Sequence, residues 1–474
     1  MLFNSLTFAV FFALVLLLHR LPLGWTTRKI NLLLASYLFY AAWNPPFVAL
    51  LWLSTVTDWF AAKGIAAATS ASRRRAFLLL SLSVNLGLLG YFKYAGFVLE
   101  NFVWLLAQAG VAFQPAPPDI ILPLGISFYT FQTLSYTISI YREENAPSES
   151  FIDFALYVTF FPQLVAGPIV RSREFLSQLL EPVQATSRQF GWGMVLITFG
   201  LFQKVILADV FLAPVVDKVY SASQHAGSLD AWVGTLGFAC QVFFDFAGYS
   251  SCAIGAALCL GFVLPQNFNC PYAAVGFTDY WRRWHITLST WLRDYVFYSL
   301  LASKRGRSGM WFRGVCLFTT MLLGGLWHGA SWNFVIWGAI HGGYLLAEYA
   351  LRASLGGVRF FHSRFFAIIA AAGTFLLTTI TLVFFRAPEL AASLKLLSVM
   401  LHSAPGQLVT IVEQGEVFAI LGITLVMQGL LRDADLEMSF SRLPAWLRVP
   451  ILVVPILCLF VVPGDQRAFI YFQF

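Results

Sequence analysis

Long apolar runs separated by short polar segments extend over the whole chain. A helix that crosses a membrane needs about 20 mostly apolar residues, and this pattern predicts many such helices. Some runs have a length that suits tilted, re-entrant or double passages, so we predict about eleven or more crossings in an all-α transmembrane bundle. The candidate spans are residues 2–18, 31–44, 46–62, 76–97, 120–140, 151–169, 190–214, 231–263, 314–328, 331–350, 365–385, 416–431 and 449–462.

Charge in the connections between the spans predicts their orientation, because basic segments stay on the cytoplasmic side. The basic connections are residues 19–29, 63–75, 171–188, 282–313 and 352–364. The uncharged or mildly acidic ones, which we place outside, are 44–46, 101–119, 217–230 and 402–416. The N-terminus then starts outside, and its apolar run reads as a retained span because it lacks a basic leader and a cleavage site. No linker or repeat interrupts the pattern, so we expect one transmembrane domain over residues 1–474.

Composition supports a membrane protein and excludes several other classes. Hydrophobic residues make up 59% of the chain and charged residues 11%, whereas a soluble domain carries roughly 25% charged residues. The formal charge of +7 lies in the short connections, where it orients the helices, so nucleic acid is not expected as a partner. The six cysteines lie mostly in apolar runs without metal-ligand spacing, so neither a disulfide framework nor a metal site is predicted.

The richest polar stretch in apolar surroundings runs from Asp279 to Tyr295. Read as one helix, it places His285 on an aromatic and apolar face, which comprises Trp281, Trp284, His285, Leu288, Trp291, Leu292 and Tyr295. That pattern is typical of an amphipathic helix in the cytoplasmic interface. An interfacial anchor does not require a histidine on its apolar side, so His285 is a candidate functional residue. The adjacent Arg293 and Asp294 read as a structural ion pair.

A second histidine, His328, interrupts an otherwise uncharged stretch and has glycines close to it at 324, 325 and 329. Glycines allow a backbone or a ligand to approach closely, and an imidazole can take a proton from a hydroxyl near neutral pH. The alternative is a core histidine bonded to a helix carbonyl. His341, further along the same region, is a lesser candidate.

Three carboxylates also fall inside apolar runs: Asp58, Asp209 and Asp245. Ionisable groups are costly in a membrane, and we expect each of these to pair with a basic or hydroxyl group rather than act on substrate. The chain lacks a phosphate-binding loop, a Gly-x-Ser-x-Gly elbow and a His-Glu-x-x-His sequence, so hydrolase and ATPase functions have no motif support.

Both histidine stretches resemble sequences of a known family. Residues 281–295, WRRWHITLSTWLRDY, look like the signature of the membrane-bound O-acyltransferases, and residues 325–329, GLWHG, resemble that family's active-site histidine motif. The bacterial alginate O-acetylase branch is the most similar; it includes relatives that act on cellulose and peptidoglycan, and it is related to the teichoic-acid D-alanylation transferase. Further similar stretches, which extend the resemblance over nearly the whole chain, are residues 122–132, 166–171, 244–250, 265–269 and 469–474.

One stretch departs from that branch. After Tyr295 the branch usually continues through a Pro-Leu-Gly-Gly turn, whereas this chain reads YSLLASKRG at 298–306. The departure leaves open the loop geometry near the cytoplasmic mouth and the identity of the donor. It touches neither histidine.

The resemblance implies a helical bundle around a central tunnel, which an acyl donor enters from the cytoplasm and an acceptor from outside. It implies that His328 is the general base and that His285 orients or polarises the donor. Basic residues at the cytoplasmic entrance would bind the phosphates of a coenzyme A ester or an acidic carrier protein; these are Arg282, Arg283, Lys304 and Arg305. The thioester, acetyl-CoA or an acyl carrier, is then a substrate, and no permanently bound cofactor is expected.

The resemblance also concerns Tyr471, the fourth residue from the end of the printed sequence. A similar tyrosine in the related D-alanylation machinery is thought to carry the acyl group briefly, although an aromatic tail docked in the bundle is the structural alternative. The expected partners are membrane lipid and an extracytoplasmic acetyltransferase that modifies a polysaccharide, at a bacterial inner membrane. Transfer of another acyl group such as D-alanyl, or a non-catalytic transporter of an acyl carrier or lipid-linked sugar, remains as an alternative, and the sequence does not identify the polymer.

Overall fold

The computed structural model describes residues 1–116, 118–303, 309–355, 363–462 and 467–470. Helices and their connections make up these residues, and the described part of the chain contains no β-strand. The all-α prediction is therefore confirmed. Contacts within the chain divide it into two compact units, residues 1–193 with 253–265 and residues 194–252 with 266–474. The expectation of one domain over 1–474 stays a prediction.

The first unit contains nine α-helices that lie wholly within it in the described residues. Serine side chains start several of them: Ser5, Ser70 and Ser150 each accept a hydrogen bond from a backbone N–H of the first turn, which satisfies a donor that the helix itself leaves unpaired. The helices are α1 Leu6–Arg20, α2 Trp25–Ala41, α3 Val48–Ala67, α4 Ala71–Leu89, α5 Ala95–Gln108, α6 Ile126–Tyr141, α7 Phe151–Thr159, α8 Phe161–Leu164 and α9 Ser172–Leu176.

Asp58 lies at the centre of a buried polar network that joins three helices of this unit. Its carboxylate on α3 accepts hydrogen bonds from Ser81 and from the Asn85 amide on α4, the latter at 2.7 Å, and from the Thr137 hydroxyl on α6 at 2.8 Å. Asp58 is fully buried. The expected pairing with hydroxyl groups is confirmed, and the network gives this carboxylate a structural role because hydrogen bonds offset its desolvation.

The remaining helices lie in or extend into the second unit. Helix α10 begins in the first unit, and the last turns of α12 belong to it. The helices are α10 Ser187–Leu201, α11 Ala213–Ser221, α12 Ser228–Cys259, α13 Phe277–Arg283, α14 Ile286–Trp291, α15 Tyr298–Ala302, α16 Met310–His328, α17 Trp332–Leu355, α18 Arg364–Arg386, α19 Leu390–Leu401, α20 Ile411–Leu431, α21 Leu436–Arg442 and α22 Ala445–Val461.

Among the described residues, six helical segments are long and apolar enough to cross a membrane, or seven if the bent pair α21 and α22 forms one span. They are Ala71–Gln108, Ser187–Ser221, Ser228–Cys259, Met310–His328, Arg364–Arg386 and Ile411–Leu431. Helices α1 and α19 are apolar but shorter. The chain is thus a membrane protein with several spans, and the number of about eleven crossings stays a prediction.

Candidate active site

His285 lies at a sharp break between two helices, so the single amphipathic helix expected over this stretch is wrong. Helix α13 ends at Arg283, α14 begins at Ile286, and His285 between them has a φ of +41°. That left-handed conformation interrupts the helical hydrogen bonds. The freed backbone groups find partners in one preceding segment: Asn269 donates to the Arg283 carbonyl, and Ile286 donates to the Asn267 carbonyl, both at 2.9 Å.

The Asn267 side chain sets the tautomer of His285. Its Oδ1 lies 3.0 Å from His285 Nδ1 and 3.4 Å from the backbone nitrogen of Thr287, while its Nδ2 donates to Ser250 Oγ at 3.2 Å. A backbone N–H can only donate, so the atom facing it is the amide oxygen. His285 Nδ1 therefore carries the hydrogen, and Nε2 carries a lone pair. Full burial lowers the pKa of His285, which keeps the ring neutral.

We expect Asn267→Ala to lower the rate of acyl transfer about tenfold to a hundredfold. The reason is the loss of a buried hydrogen bond of about 1–3 kcal/mol that orients the His285 ring. Initial rates in membranes, normalised to the amount of folded protein, measure this effect. Asn101→Ala, which removes an asparagine of the first unit, is the matched control and should keep the wild-type rate. Equal rates in both variants would contradict the orienting role.

His328 is the last residue of α16, and aromatic rings surround it. Its ring centroid lies 5.0 Å from those of Trp327 and Trp337 and 5.1 Å from that of Phe385. The side chain is buried. The Trp327 ring is also 5.9 Å from that of His285, so one indole contacts both candidate histidines. The structure therefore brings His285 and His328 together, which their separation in sequence does not require.

Glycine allows the close packing that places His328. Helices α16 and α17 approach so closely at Gly325 that a Cβ added there would lie 2.8 Å from the Cα of Gly338. The expectation that glycine near His328 permits the approach of another backbone is confirmed. Because the two helices touch at this point, Trp337 of α17 lies directly against the His328 ring.

Helix α18 arranges two cavities and two histidines in order along its length. Its first half, from Phe366 to Leu377, lines a mostly apolar cavity of about 490 Å³. Thr381 then contacts His341, and Phe385 contacts His328. Arg386, at the end of the helix, lines a second, charged cavity of about 780 Å³. In the predicted topology the apolar cavity lies toward the cytoplasm and the charged cavity toward the outside.

The charged cavity contains the two remaining carboxylates of the sequence analysis, and both pair with one buried lysine. Lys204 Nζ donates to Asp209 at 2.8 Å and also to Asp245. Lys204 and Asp209 share a π-helical segment, Phe202–Leu212, where residues five apart can lie on one face. The pairing expected of these carboxylates is confirmed. Sequence reasoning overlooked Lys204, although a lysine inside an apolar run was a visible signal.

The charged cluster also holds the end of the described chain. The backbone N–H of Ile470 donates to Asp245 at 2.9 Å, and Arg467 pairs with Asp217. Phe469 is buried, and its ring lies 5.5 Å from that of Phe246, which itself contacts the His285 ring at 4.6 Å. Tyr471, a predicted site residue, lies outside the described residues. Its position in sequence directly follows this anchored segment.

The predicted donor-binding residues fall into two groups. Arg282 is exposed. Arg283 already forms salt bridges with Asp279 at 3.0 Å and with Asp433 at 3.2 Å. Lys304 and Arg305 lie outside the described residues. Arg293 and Asp294 form the expected ion pair at 2.8 Å. The donor-binding role of the basic residues stays a prediction.

Comparison with known proteins identifies the family. Residues 131–385 match the family model of the membrane-bound O-acyltransferases. A probable alginate O-acetylase of Pseudomonas putida is 38% identical over 86% of this chain and 82% of its own length. The chain belongs to the membrane-bound O-acyltransferase family. Both histidines lie within the matched residues, so the match includes the centre described above.

Two further relatives of this O-acyltransferase span different parts of their own chains. A probable alginate O-acetylase of Azotobacter vinelandii is 43% identical over 69% of this chain, and the aligned part spans 64% of that protein's length. A peptidoglycan O-acetyltransferase of Helicobacter pylori is 33% identical over 94% of this chain and 91% of its own length. Within the described residues the O-acyltransferase has no cluster of side chains that could hold a metal ion.

Proposed function

We propose that this chain transfers acetyl from a cytoplasmic thioester toward an extracytoplasmic polysaccharide. One observation carries the proposal: His328, at the end of α16, is buried against Phe385 of α18, between the level of an apolar cavity and that of a charged one. A thioester with a hydrophobic reacting end suits the first cavity, and a hydroxyl-bearing acceptor suits the second. Two relatives are named as a probable alginate O-acetylase and a peptidoglycan O-acetyltransferase, and these names support acetyl as the group transferred.

In the proposed reaction His328 removes the proton of the acceptor hydroxyl as its oxygen attacks the thioester carbonyl carbon. A new C–O bond forms, the C–S bond breaks, and the thiol sulfur leaves with the proton that His328 returns. The aromatic rings of Trp327, Trp337 and Phe385 around the imidazole exclude water. Exclusion of water protects the thioester from hydrolysis.

His285 contributes by orientation rather than by polarising the donor carbonyl. To polarise a carbonyl, the ring would have to donate a hydrogen bond, but its N–H is directed to Asn267. The opposite nitrogen, Nε2, can only accept in this tautomer. We propose that Nε2 accepts a hydrogen bond from a reacting group.

The donor and the final acceptor require partners. Acetyl-CoA or an acyl carrier protein would meet the basic residues at the cytoplasmic entrance, including Arg282, Arg283, Lys304 and Arg305. On the outer side, the acetyl group would pass first to the phenol oxygen of Tyr471 and then to an acetyltransferase that modifies the polymer. Anchoring of Ile470 by Asp245 supports this role for the following residue. We place the chain in a bacterial inner membrane, where both compartments are accessible.

Labelled acetyl-CoA tests the proposal in membranes that contain the native partners and polymer. We expect hydroxylamine-labile label on the wild-type protein and on the polymer, and a loss of both to background in Tyr471→Phe, because phenylalanine lacks the oxygen that forms the ester. Tyr91→Phe, at an exposed tyrosine of the first unit, is the matched control.

The outcomes separate the parts of the proposal. Polymer labelled equally by Tyr471→Phe and wild type would contradict the tyrosine relay and leave acetyl transfer standing. Absence of label from protein and polymer would contradict acetyl transfer from this donor. Label acquired from a D-alanyl thioester instead would favour the alternative acyl group.

A further inference from the structure

Three buried polar atoms near His328 have no hydrogen-bond partner among the described residues. They are Nε1 of Trp281, Nε1 of Trp337 and Nδ1 of His341. The three rings contact one another: the His341 centroid lies 4.5 Å from that of Trp337 and 5.4 Å from that of Trp281, and the two indoles are 5.8 Å apart. Their exposed fractions are 9%, 3% and 1%. Buried polar groups are nearly always paired, so three unpaired ones on rings that contact one another indicate a ligand.

The hydrogen bond made by the other ring nitrogen of His341 determines which donor and acceptor groups the ligand must have. Thr381 Oγ1 donates to the Thr378 carbonyl at 2.6 Å, so it accepts from His341 Nε2, 3.1 Å away. Nε2 therefore carries the hydrogen, and Nδ1 carries a lone pair that accepts. The two indole N–H groups can only donate. A complementary ligand has an N–H or O–H beside a carbonyl, and an amide has both in one rigid plane.

The position of these atoms matches the acyl donor. His341 lies four residues after Trp337 on α17, about 6 Å along the helix, and Trp337 contacts His328. In acetyl thioesters of coenzyme A and of carrier proteins, about 5 Å separates the reacting carbonyl carbon from the nearest amide nitrogen. A thioester carbonyl placed against His328 at the level of Trp337 thus puts that amide near the level of His341.

The apolar cavity extends toward this position from the predicted cytoplasmic side and ends at Tyr344, next to His341. Tyr344, which lines the cavity, lies 5.8 Å from the His341 ring. Arg352 and Glu348 line it further along α17 toward the basic connection. The order along α17 is therefore cavity, His341 and Trp337, and Trp337 contacts His328 of α16. A donor that extends along this line reaches His328 with its acyl end first.

We infer that His341 Nδ1 and the indole N–H groups of Trp281 and Trp337 bind the first amide of the acyl donor. The amide N–H donates to His341, and its carbonyl accepts from the indoles. His341 is then a specificity-determining residue one helical turn from the reacting carbonyl. This inference rests on the proposed function, because it requires a thioester donor.

Two small labelled thioesters test the subsite. One is the acetyl thioester of N-acetylcysteamine, which carries the amide; the other replaces the amide N–H by an ester oxygen and keeps the carbonyl. We expect the wild-type protein to use the amide donor with a kcat/KM about tenfold higher than the ester. Both compounds are also measured as inhibitors of transfer from acetyl-CoA. The ratio of their inhibition constants then compares their binding even where they are poor donors.

The subsite predicts a different ratio of the two kcat/KM values for each variant. This ratio does not depend on how much of the protein is folded. His341→Phe should bring the ratio to about one, whereas His341→Asn, with an oxygen near the position of Nδ1, should retain a preference for the amide. Trp281→Phe should lower the kcat/KM of both donors by the same factor, because both keep the carbonyl that accepts from the indole. His402→Phe, at an exposed histidine, is the control and should keep the wild-type ratio.

Equal use of the two thioesters by the wild type, or an unchanged ratio in His341→Phe, would overturn the subsite. The proposed function would then still stand, provided acetyl-CoA labels the polymer. The proposed function and the subsite would be contradicted together if acetyl-CoA and both small thioesters failed to donate acetyl and neither small thioester inhibited the reaction.

Discussion

His328→Ala lowers acetyl transfer about 10²- to 10⁴-fold in our expectation, the largest effect on activity that the structure predicts. The imidazole is the proposed base, and the Trp327, Trp337 and Phe385 rings against it have no basic atom that could take the proton. Loss of the base should therefore appear in kcat, while the KM for the thioester changes little. Initial rates over a range of acetyl-CoA concentrations in membranes measure both parameters.

The control for this variant is His402→Ala, which removes an exposed histidine whose ring bonds to the Ser398 carbonyl. It should retain the wild-type kcat. Thermal midpoints in detergent, measured for both variants, separate loss of chemistry from loss of folded protein. A His328→Ala protein that is folded and still transfers acetyl at more than about a tenth of the wild-type rate would exclude His328 as the base.

Lys204→Met should destabilise the protein by about 3–5 kcal/mol, because it leaves the Asp209 and Asp245 carboxylates buried without their cation. All three side chains are at least nine-tenths buried, so water compensates only weakly for loss of the lysine. The thermal midpoint in detergent measures the effect. The variant should also expose the chain end, because Asp245 holds Ile470; cleavage by trypsin after Arg467 reports that release.

A neutral cluster is the informative partner of this variant. Lys204→Met combined with Asp209→Asn and Asp245→Asn removes the unpaired charges, and most of the lost stability should return. Lys218→Met is the matched control, since Lys218 forms a partly exposed pair with Glu413 that contributes about 0–1 kcal/mol. A single variant as stable as wild type, or no recovery in the triple variant, would show that the cluster does not support the fold.

The anchored chain end links these two predictions. Phe469 packs against Phe246, and the Phe246 ring contacts His285. Displacement of residues 467–470 would therefore disturb the surroundings of His285 as well as the charged cavity. A fall in acetyl transfer in Lys204→Met that exceeds its loss of folded protein is the expected sign of this coupling.

The candidate site could be predicted only in part from the sequence. His285 and His328 stand out because a titratable ring in an apolar run is costly, and the structure brings both against Trp327. Asn267 gave no such signal, because an asparagine in a connecting segment is ordinary. Its role depends on the left-handed backbone of His285, a single-residue feature that a helical pattern conceals. The triad of Trp281, Trp337 and His341 is equally hidden, since its unpaired atoms exist only after three rings are packed.

The apolar pattern by itself determined that this chain is an all-α membrane protein, because a backbone in lipid must satisfy its hydrogen bonds within each segment. It also determined which ionisable residues were costly enough to need a partner or a function. Tertiary structure decided which of them meet. Side-chain pairing between α13, α16, α17 and α18 depends on where helices break and how closely glycine lets them approach, and neither quantity has a period in the sequence. The order of cavity, His341, His328 and cavity along α18 is therefore a property of the packed helices alone.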